Sequence, residues 1–249
     1  MANKFLQSWV ALGETALSQD SLRGDLALGR AGTLVRLHNY NGLANDKFVI
    51  LEFFGKAWIP PVGGIDQPTQ RDGTDTWSVY SDSIVGASTA IEQDIAAYVN
   101  DHVLVARLRT ATFALRPHTG ANDNPLVVEL HDAVLTGTLV PSDRGYRIER
   151  GQVTGRWPAH RALLALGALA DSNGFLCGSH PFYETLHTQV CDNLDIVSSR
   201  ADDNTGATCD AMSLALGFAA GPAHIGPAKD PTIVPSNCPP GWTPTCNGP

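Results

Sequence analysis

The sequence predicts a mainly β protein, in which an antiparallel, jelly-roll-like β-sandwich carries a small helical C-terminal subregion held by disulfides. Apolar or alternating segments recur about every 8–12 residues, the spacing typical of sandwich strands. The 249-residue chain contains 24 Gly and 16 Pro, a composition that favours many turns over long helices. All five cysteines lie in its last third, as expected where disulfides hold a region with little core of its own.

The first hundred residues predict short strands after a lead-in over residues 1–20. Residues 22–38 alternate around glycines, a pattern that predicts two short strands joined by a turn. The β-branched and aromatic run KFVILEFF (Lys47–Phe54) is short enough for a buried strand. Residues 77–85 resume strand character, and residues 89–99 predict one or two helical turns.

The middle of the chain gives the clearest strand pattern. Residues 103–109 alternate between apolar and polar side chains, which is typical of a half-buried antiparallel strand. Strand patterns continue at residues 126–131, 133–140 and 146–154. The sandwich is therefore expected to cover residues 21–156.

The pattern changes after the sandwich to the spacing of helices. AHRALLALGALA (residues 159–170) is apolar at helical intervals, and residues 181–191 predict a second helix that begins with a proline. Residues 212–220 fit either a helix or a strand, and we favour a strand that returns to the sheet, because Leu214, Leu216 and Phe218 alternate with small residues. We expect residues 157–220 to pack on the sandwich as a helical subregion, followed by an extended Pro- and Gly-rich tail at 221–249.

Charge and hydropathy argue against a nucleic-acid partner and against a membrane-spanning helix. The formal net charge is −8 and the basic residues are scattered, so nucleic acid is not expected as a partner. No segment approaches the roughly 18 apolar residues that a membrane-spanning helix needs. The N-terminal residues make a poor signal peptide, so a leader is expected to be absent or removed.

Five cysteines predict two disulfides, with the fifth thiol either free or paired with another molecule. The five are Cys177, Cys191, Cys209, Cys238 and Cys246. Sequence alone leaves the pairing open. We favour a bridge between Cys238 and Cys246, or between one of them and Cys209. Oxidised cysteines indicate an extracytoplasmic protein, secreted or at the cell surface.

We expect no cofactor, and the sequence offers zinc and calcium sites as the two alternatives. Cys177, His180, His187 and Cys191 have spacings that a tetrahedral zinc site can use, although an oxidising compartment favours a disulfide flanked by surface histidines. Calcium is the second alternative. Its best loop contains Asp72 and Asp75, but such residues also form the local hydrogen bonds of turns.

No catalytic residue can be assigned from motifs. The chain lacks G-x-S-x-G, H-E-x-x-H, the P-loop and G-x-G-x-x-G. A glycosidase needs two carboxylates at a defined separation, and no pair can be chosen among Glu52, Glu129 and Glu149.

Aromatic residues near loops and strand ends are the candidate ligand-binding residues. Sugars stack on exposed aromatic rings, and Trp58, Trp77, Tyr80 and Tyr98 are candidates for such a surface. The alternative is that these rings pack in the core or under loops, the commoner role for Trp and Tyr.

Several segments carry a family resemblance. They are VLVARL (103–108), G-x-VTGRWP (151–158), LCG (176–178), CDNLDI (191–196) and TCDAMSLALGFAA (208–220). Together they resemble a group of bacterial secreted or lipoprotein-type proteins that have a C-terminal cysteine-containing region and no assigned reaction. The resemblance implies export and disulfide cross-links, and it supplies no catalytic residues. The chain departs from that group because it lacks a convincing leader or lipobox cysteine near its start.

Two functional hypotheses follow. The first is a non-catalytic exported or surface protein that recognises a glycan or another protein, or serves a structural role. The second is a secreted hydrolase with its site between the sandwich and the helical subregion. A hydrolase should contain a cleft with a convergent carboxylate or histidine pair.

Overall fold

The computed structural model describes residues 19–115, 124–171, 174–178, 180–235 and 238–246. Most of the lead-in expected at residues 1–20 lies outside these ranges. The strands within them are β1 (Gly32–His38), β2 (Asp46–Trp58), β3 (Thr76–Val79), β4 (Ile84–Val85), β5 (Thr89–Ala90), β6 (Glu92–Asn100), β7 (Val103–Leu115), β8 (Leu126–Ser142), β9 (Gly145–Pro158), β10 (Ala170–Asp171), β11 (Gly174–Phe175), β12 (Ala211–Ala220) and β13 (His224–Ala228). The helices are α1 (Gln19–Ala27), α2 (Ala159–Gly167) and α3 (Tyr183–Cys191), with 3-10 turns at Ser81–Ser83 and Arg200–Asp202.

One curled, mixed sheet dominates the described part of the chain. Its strand order is β12-β9-β8-β7-β6-β2-β3-β13. The ninth strand, β1, also pairs with β2 but is not part of this linear order. β13 runs parallel to β3, whereas the other pairs in the sheet are antiparallel. The mainly β prediction is confirmed. The two-sheet sandwich and the purely antiparallel pairing are not confirmed, because these strands join a single sheet and one of its pairs is parallel.

The length of β2 explains part of the curl. Its first residues pair with β6, and the stretch around Phe53 and Phe54 pairs with β1. Its last residues, Ala57 and Trp58, pair with β3. Further along the sheet, the β8–β9 ladder shifts register between His131 and Val134, an irregularity that increases local twist. A strand shared among three neighbours and a twisted ladder bend the sheet around its inner face.

The core lies on this inner face and extends under α2. The buried face of β2 contributes Val49, Leu51 and Phe53, spaced two residues apart as the strand period requires. Leu163 and Leu166 of α2 join the same cluster. A second cluster on the outer face contains Phe54, Ala57, Val79 and Ala90.

Local predictions succeed where the pattern is strong. The strand predicted at residues 47–54 becomes β2, the one at 103–109 becomes β7, and the returning strand at 212–220 becomes β12. The helices predicted at 159–170 and 181–191 become α2 and α3.

Three local predictions were wrong. The helical turns expected at residues 89–99 are strands β5 and β6, because Ala97 and Val99 are buried at a spacing of two and β6 pairs with both β2 and β7. Residues 22–38 form helix α1 and then β1 rather than two strands. Gly29, with a φ of 65°, lies just beyond the helix end. The tail is not wholly extended, since it contributes β13 to the sheet.

The C-terminal subregion is held by two disulfides, Cys177–Cys238 and Cys191–Cys246, and Cys209 is free and exposed. The expected count is therefore confirmed, but the favoured pairings were wrong. The segment 238–246 lies against the helices rather than folding on itself. Trp242 packs over Gly167 of α2 and lies 5.6 Å from the Tyr183 ring of α3. Each cysteine of this segment therefore meets a cysteine of the helical subregion.

None of the helices in the described ranges combines the length and the apolar character that crossing a membrane requires.

Candidate ligand-binding site

The sheet leaves a gap between β1 and β12, which we call the seam. In the described part of the chain, β1 pairs only with β2, and β12 is the first strand of the sheet path, paired with β9. An open cleft of about 680 Å³ lies along the seam, between β1, the β8–β9 hairpin and the segment that joins β12 to β13. We call it the polar cleft; its polar lining side chains are Thr33, Arg36, Asn39, Tyr40, Arg144, Tyr146 and His224.

The polar cleft carries positive charge although the chain has a net charge of −8. Arg36 and Arg144 line it, and no carboxylate does so among the described residues. The Arg36 guanidinium is partly neutralised because its Nε lies 2.5 Å from Glu52 Oε2. Within the described ranges, the side chains of Arg144 and His224 make no hydrogen bond and no ion pair. Both therefore remain available to a ligand.

Two tyrosines form the aromatic wall of the polar cleft. The Tyr40 and Tyr146 rings lie 5.0 Å apart at 66°, an edge-to-face contact. The Tyr40 hydroxyl donates to the Leu43 carbonyl, 2.9 Å away. Burial raises the pKa of Tyr40, and the neighbouring Tyr146 and Asp46 raise it further, so its hydroxyl stays protonated.

Gly42 makes room for this wall. Its φ is 80°, and a Cβ at this position would lie 2.7 Å from the Tyr146 hydroxyl. A side chain here would be strained and would displace Tyr146.

Arg144 is positioned by the β8–β9 hairpin and by the loop around Gly73. Its side chain packs so closely on Gly73 that a Cβ there would lie 2.9 Å from the Arg144 Cδ. The neighbouring Asp72 has a lowered pKa, first because the Thr74 hydroxyl and amide donate to it, and also because Arg144 is near. The loop therefore packs against the Arg144 side chain and limits its movement.

Asp72 and Asp75, the residues of the calcium hypothesis, form turn hydrogen bonds. Asp72 Oδ1 accepts from the Thr74 amide at 2.9 Å. The Asp75 carboxylate accepts from the amides of Gln70 and Arg71, at 2.9 and 2.8 Å. The structure matches the alternative in which these side chains stabilise turns.

The zinc hypothesis fails at its two cysteines. Cys177 and Cys191 belong to different disulfides, so neither offers a thiolate. His180 is buried, and its Nδ1 accepts from the Phe182 amide. His187 lies beside the Cys191 sulfur, and its Nε2 is 2.8 Å from the Thr245 carbonyl. Across the described ranges, no group of three or more His, Cys, Asp or Glu side chains is placed to hold a metal ion.

The four candidate aromatic residues do not form one exposed surface. Trp58 and Tyr80 are buried, at 8% and 9% exposure, and pack with Ala114. Trp77 is half-buried against Gly32, and Tyr98 is exposed on β6. For Trp58 and Tyr80 the structure matches the alternative in which these rings pack in the core. The binding role of Trp77 and Tyr98 stays a prediction.

A second group of polar residues, the junction cluster, lies where the sheet meets α2. It consists of Glu129, His131, His160 and Arg161. Glu129 Oε1 lies 2.9 Å from His131 Nε2 and 3.4 Å from Arg161 Nε. Burial lowers the pKa of His160, and the charges of Arg161 and His131 lower it further. None of the four residues lines the polar cleft.

Sequence reasoning missed the residues of the polar cleft. Asn39, Arg144 and His224 were not among the candidate ligand-binding residues, and Tyr146 was assigned only to a predicted strand. His224 lay in the expected tail. These residues come from three distant segments, so no local spacing could have grouped them.

Comparisons with known protein families, with curated proteins and with solved structures found no match. The resemblance to bacterial secreted or lipoprotein-type proteins therefore stays a hypothesis.

Proposed function

We propose that this chain is a non-catalytic, extracytoplasmic binding protein whose polar cleft takes a small acidic sugar or a similar hydroxylated acid. The proposal depends mainly on one observation, the open 680 Å³ cleft in which the side chains of Arg144 and His224 make no hydrogen bond and no ion pair among the described residues. Ligand sites in proteins are typically concave and have a volume of about 300–1,000 Å³, with a few convergent polar groups.

The side chains suggest how such a ligand would be held. A guanidinium binds a carboxylate through paired, charge-assisted hydrogen bonds, which suits Arg144. The Tyr146 ring, 37% exposed, offers an apolar face to the C–H groups of a sugar. Asn39 and His224 can donate to hydroxyl groups or accept from them.

The disulfides support the proposed location. Cys177–Cys238 and Cys191–Cys246 are compatible with an oxidising, extracytoplasmic compartment. Secretion and a cell-surface position are part of the proposal.

Calorimetric titration with D-glucuronate tests the proposal, with D-glucose as the uncharged analogue. Glucuronate should bind more tightly, because glucose lacks the carboxylate. Arg144→Gln should weaken glucuronate binding at least about tenfold, the loss expected when a charge-assisted contact is removed.

Arg147→Gln is the matched control. Arg147 belongs to the same hairpin, but it pairs with Glu149 and does not line the cleft. Its substitution should leave glucuronate affinity unchanged. Equal affinities for the protein and its Arg144→Gln variant, or no glucuronate binding at all, would contradict the proposal.

A hydrolase is the second candidate function, favoured by the junction cluster. The His131–Glu129 contact and the lowered pKa of His160 are features that general base catalysis uses. A panel of fluorogenic esters and glycosides tests this candidate. Hydrolysis that disappears in both His131→Ala and His160→Ala would support it, and inactivity of the unmodified chain would exclude it for those substrates.

A further inference from the structure

An apolar cavity of about 310 Å³ opens at the seam beside the polar cleft. Its walls include Val35, Phe53, Phe113, Leu135, Val153 and Leu216, from both sides of the seam and from the inner face of the sheet. Leu135 and Val153 are each only 1% exposed. Protein interiors are close-packed and contain few voids larger than a water molecule, so a space of this size in a core is unusual. Most of its lining residues are apolar, and such walls favour an apolar molecule over water.

The apolar cavity adjoins the polar cleft. Thr33, Val35 and Ala220 line both spaces. One molecule can therefore occupy the cleft with a polar group and the cavity with an apolar group. A sugar acid in the cleft alone would leave the apolar walls uncovered.

The distribution of charge sets the direction in which such a molecule lies. The Arg144 cation is in the polar cleft. Among the residues that line the apolar cavity, the charged one is the buried carboxylate Asp25, whose Oδ1 is 3.2 Å from Arg30 Nη1. An acidic group is therefore attracted to the polar cleft, where Arg144 makes no ion pair within the described ranges.

We infer that the ligand is an anionic amphiphile, with its acidic, hydroxylated head in the polar cleft and one unbranched aliphatic chain in the apolar cavity. This inference rests on the proposed function and deepens it by naming the second half of the ligand. A single, monomeric amphiphile fits best, because the cavity of about 310 Å³ is smaller than the cleft of about 680 Å³ and shares three lining residues with it.

Octyl β-D-glucuronide, used below its micelle concentration, is the probe, and D-glucuronate is the same head without the chain. Each methylene that leaves water tightens binding about fourfold, so about three buried methylenes should tighten it roughly 60-fold. Calorimetry on the full chain measures both affinities.

Leu216→Trp fills the cavity from β12 without altering a residue of the polar cleft. It should remove most of the gain from the octyl chain and keep glucuronate affinity, which also shows that the variant is folded. Ala215→Trp is the matched control, since Ala215 is exposed on the opposite face of the same strand. It should keep the full gain.

The outcomes separate the inference from the proposed function. If glucuronate binds through Arg144 but the octyl chain tightens binding less than about threefold, the inference is overturned and the proposed function stands. The inference is also overturned if Leu216→Trp leaves the gain intact. It is overturned as well if sedimentation shows a dimer that Leu216→Trp abolishes and octyl glucuronide leaves intact, because the seam would then hold a second copy of the chain. If neither probe binds, the proposed function fails.

Discussion

Arg156 of β9 and Asp203, in the loop after α3, form a two-point ion pair in which Nη1–Oδ1 and Nη2–Oδ2 are both 2.7 Å. The Arg156 side chain is only 11% exposed, and its Nη1 also donates to the Val197 carbonyl. The hydrogen bonds from Arg156 lower the pKa of Asp203. One side chain thus attaches the loop at 197–203 to the outer face of the sheet.

Arg156→Gln should lower the free energy of unfolding by about 2 kcal/mol, because it removes charge-assisted hydrogen bonds at a buried position. Urea denaturation measures the change. Arg147→Gln on the same strand is the control. Its pair with Glu149 is half-exposed on both sides, so the loss should stay below about 0.5 kcal/mol. Equal losses in the two variants would show that Arg156 does not hold the loop.

Gly55→Ala and Gly24→Ala should change stability in opposite directions. A Cβ on Gly55 of β2 would lie 1.6 Å from the Thr112 carbonyl oxygen of β7, and main chain cannot move aside as a flexible side chain can. We expect a loss of about 3 kcal/mol or more. Gly24 lies in α1, and within the described ranges the point that its Cβ would occupy has no contact within 4 Å outside the helix itself, so alanine there should stabilise by about 0.5–1 kcal/mol. Thermal unfolding of both variants gives the signs, and a tolerated Gly55→Ala would refute the close approach of β2 and β7.

Removal of the Cys191–Cys246 disulfide by a double Cys→Ser substitution should cost about 2–4 kcal/mol. The bridge closes a sequence separation of 55 residues and holds the segment around Trp242 on the helices. Cys209→Ser is the control. Cys209 is exposed and unpaired, so its replacement should change stability by less than about 0.5 kcal/mol. Titration of the denatured, unreduced chain should find one free thiol; five would contradict the pairing.

Glu52 should make the fold sensitive to acid. Burial raises its pKa, but hydrogen bonds from Arg36, His38 and the Ala90 amide outweigh burial and lower the pKa from 4.5 to about 2. A carboxylate whose pKa is lower in the folded state stabilises that state at pH values above its pKa in the unfolded chain. That stabilisation, about 3 kcal/mol, is lost as the pH falls from about 4.5 to about 2.

Glu52→Gln should therefore flatten the fall in unfolding free energy over this pH range. Urea denaturation at several pH values measures the slope. Glu149→Gln is the control, because Glu149 is 47% exposed and should leave the slope nearly unchanged. If the unfolding free energy falls equally steeply with pH in the unmodified protein and in Glu52→Gln, other carboxylates cause the acid sensitivity.

Local sequence patterns predicted the elements that neighbouring residues specify. The β-branched run at 47–54 became β2, and the helical spacing at 159–170 became α2, since alternation and helical period reflect burial within one segment. The pattern at 89–99 misled because Glu, Gln and Ala favour helices, whereas pairing with β2 and β7 decided the outcome. The count of disulfides followed from five cysteines, but their partners did not.

The sequence by itself thus determined a β-rich chain with two helices after it and cysteines that crosslink its end. Only the tertiary structure decided the curl of the sheet, the parallel β13 and the seam. It also brought Asn39, Arg144 and His224 to one cleft. The physical reason is that a local side-chain pattern indicates only whether a residue is buried. Which strand or helix it packs against depends on pairing between segments that are distant in sequence.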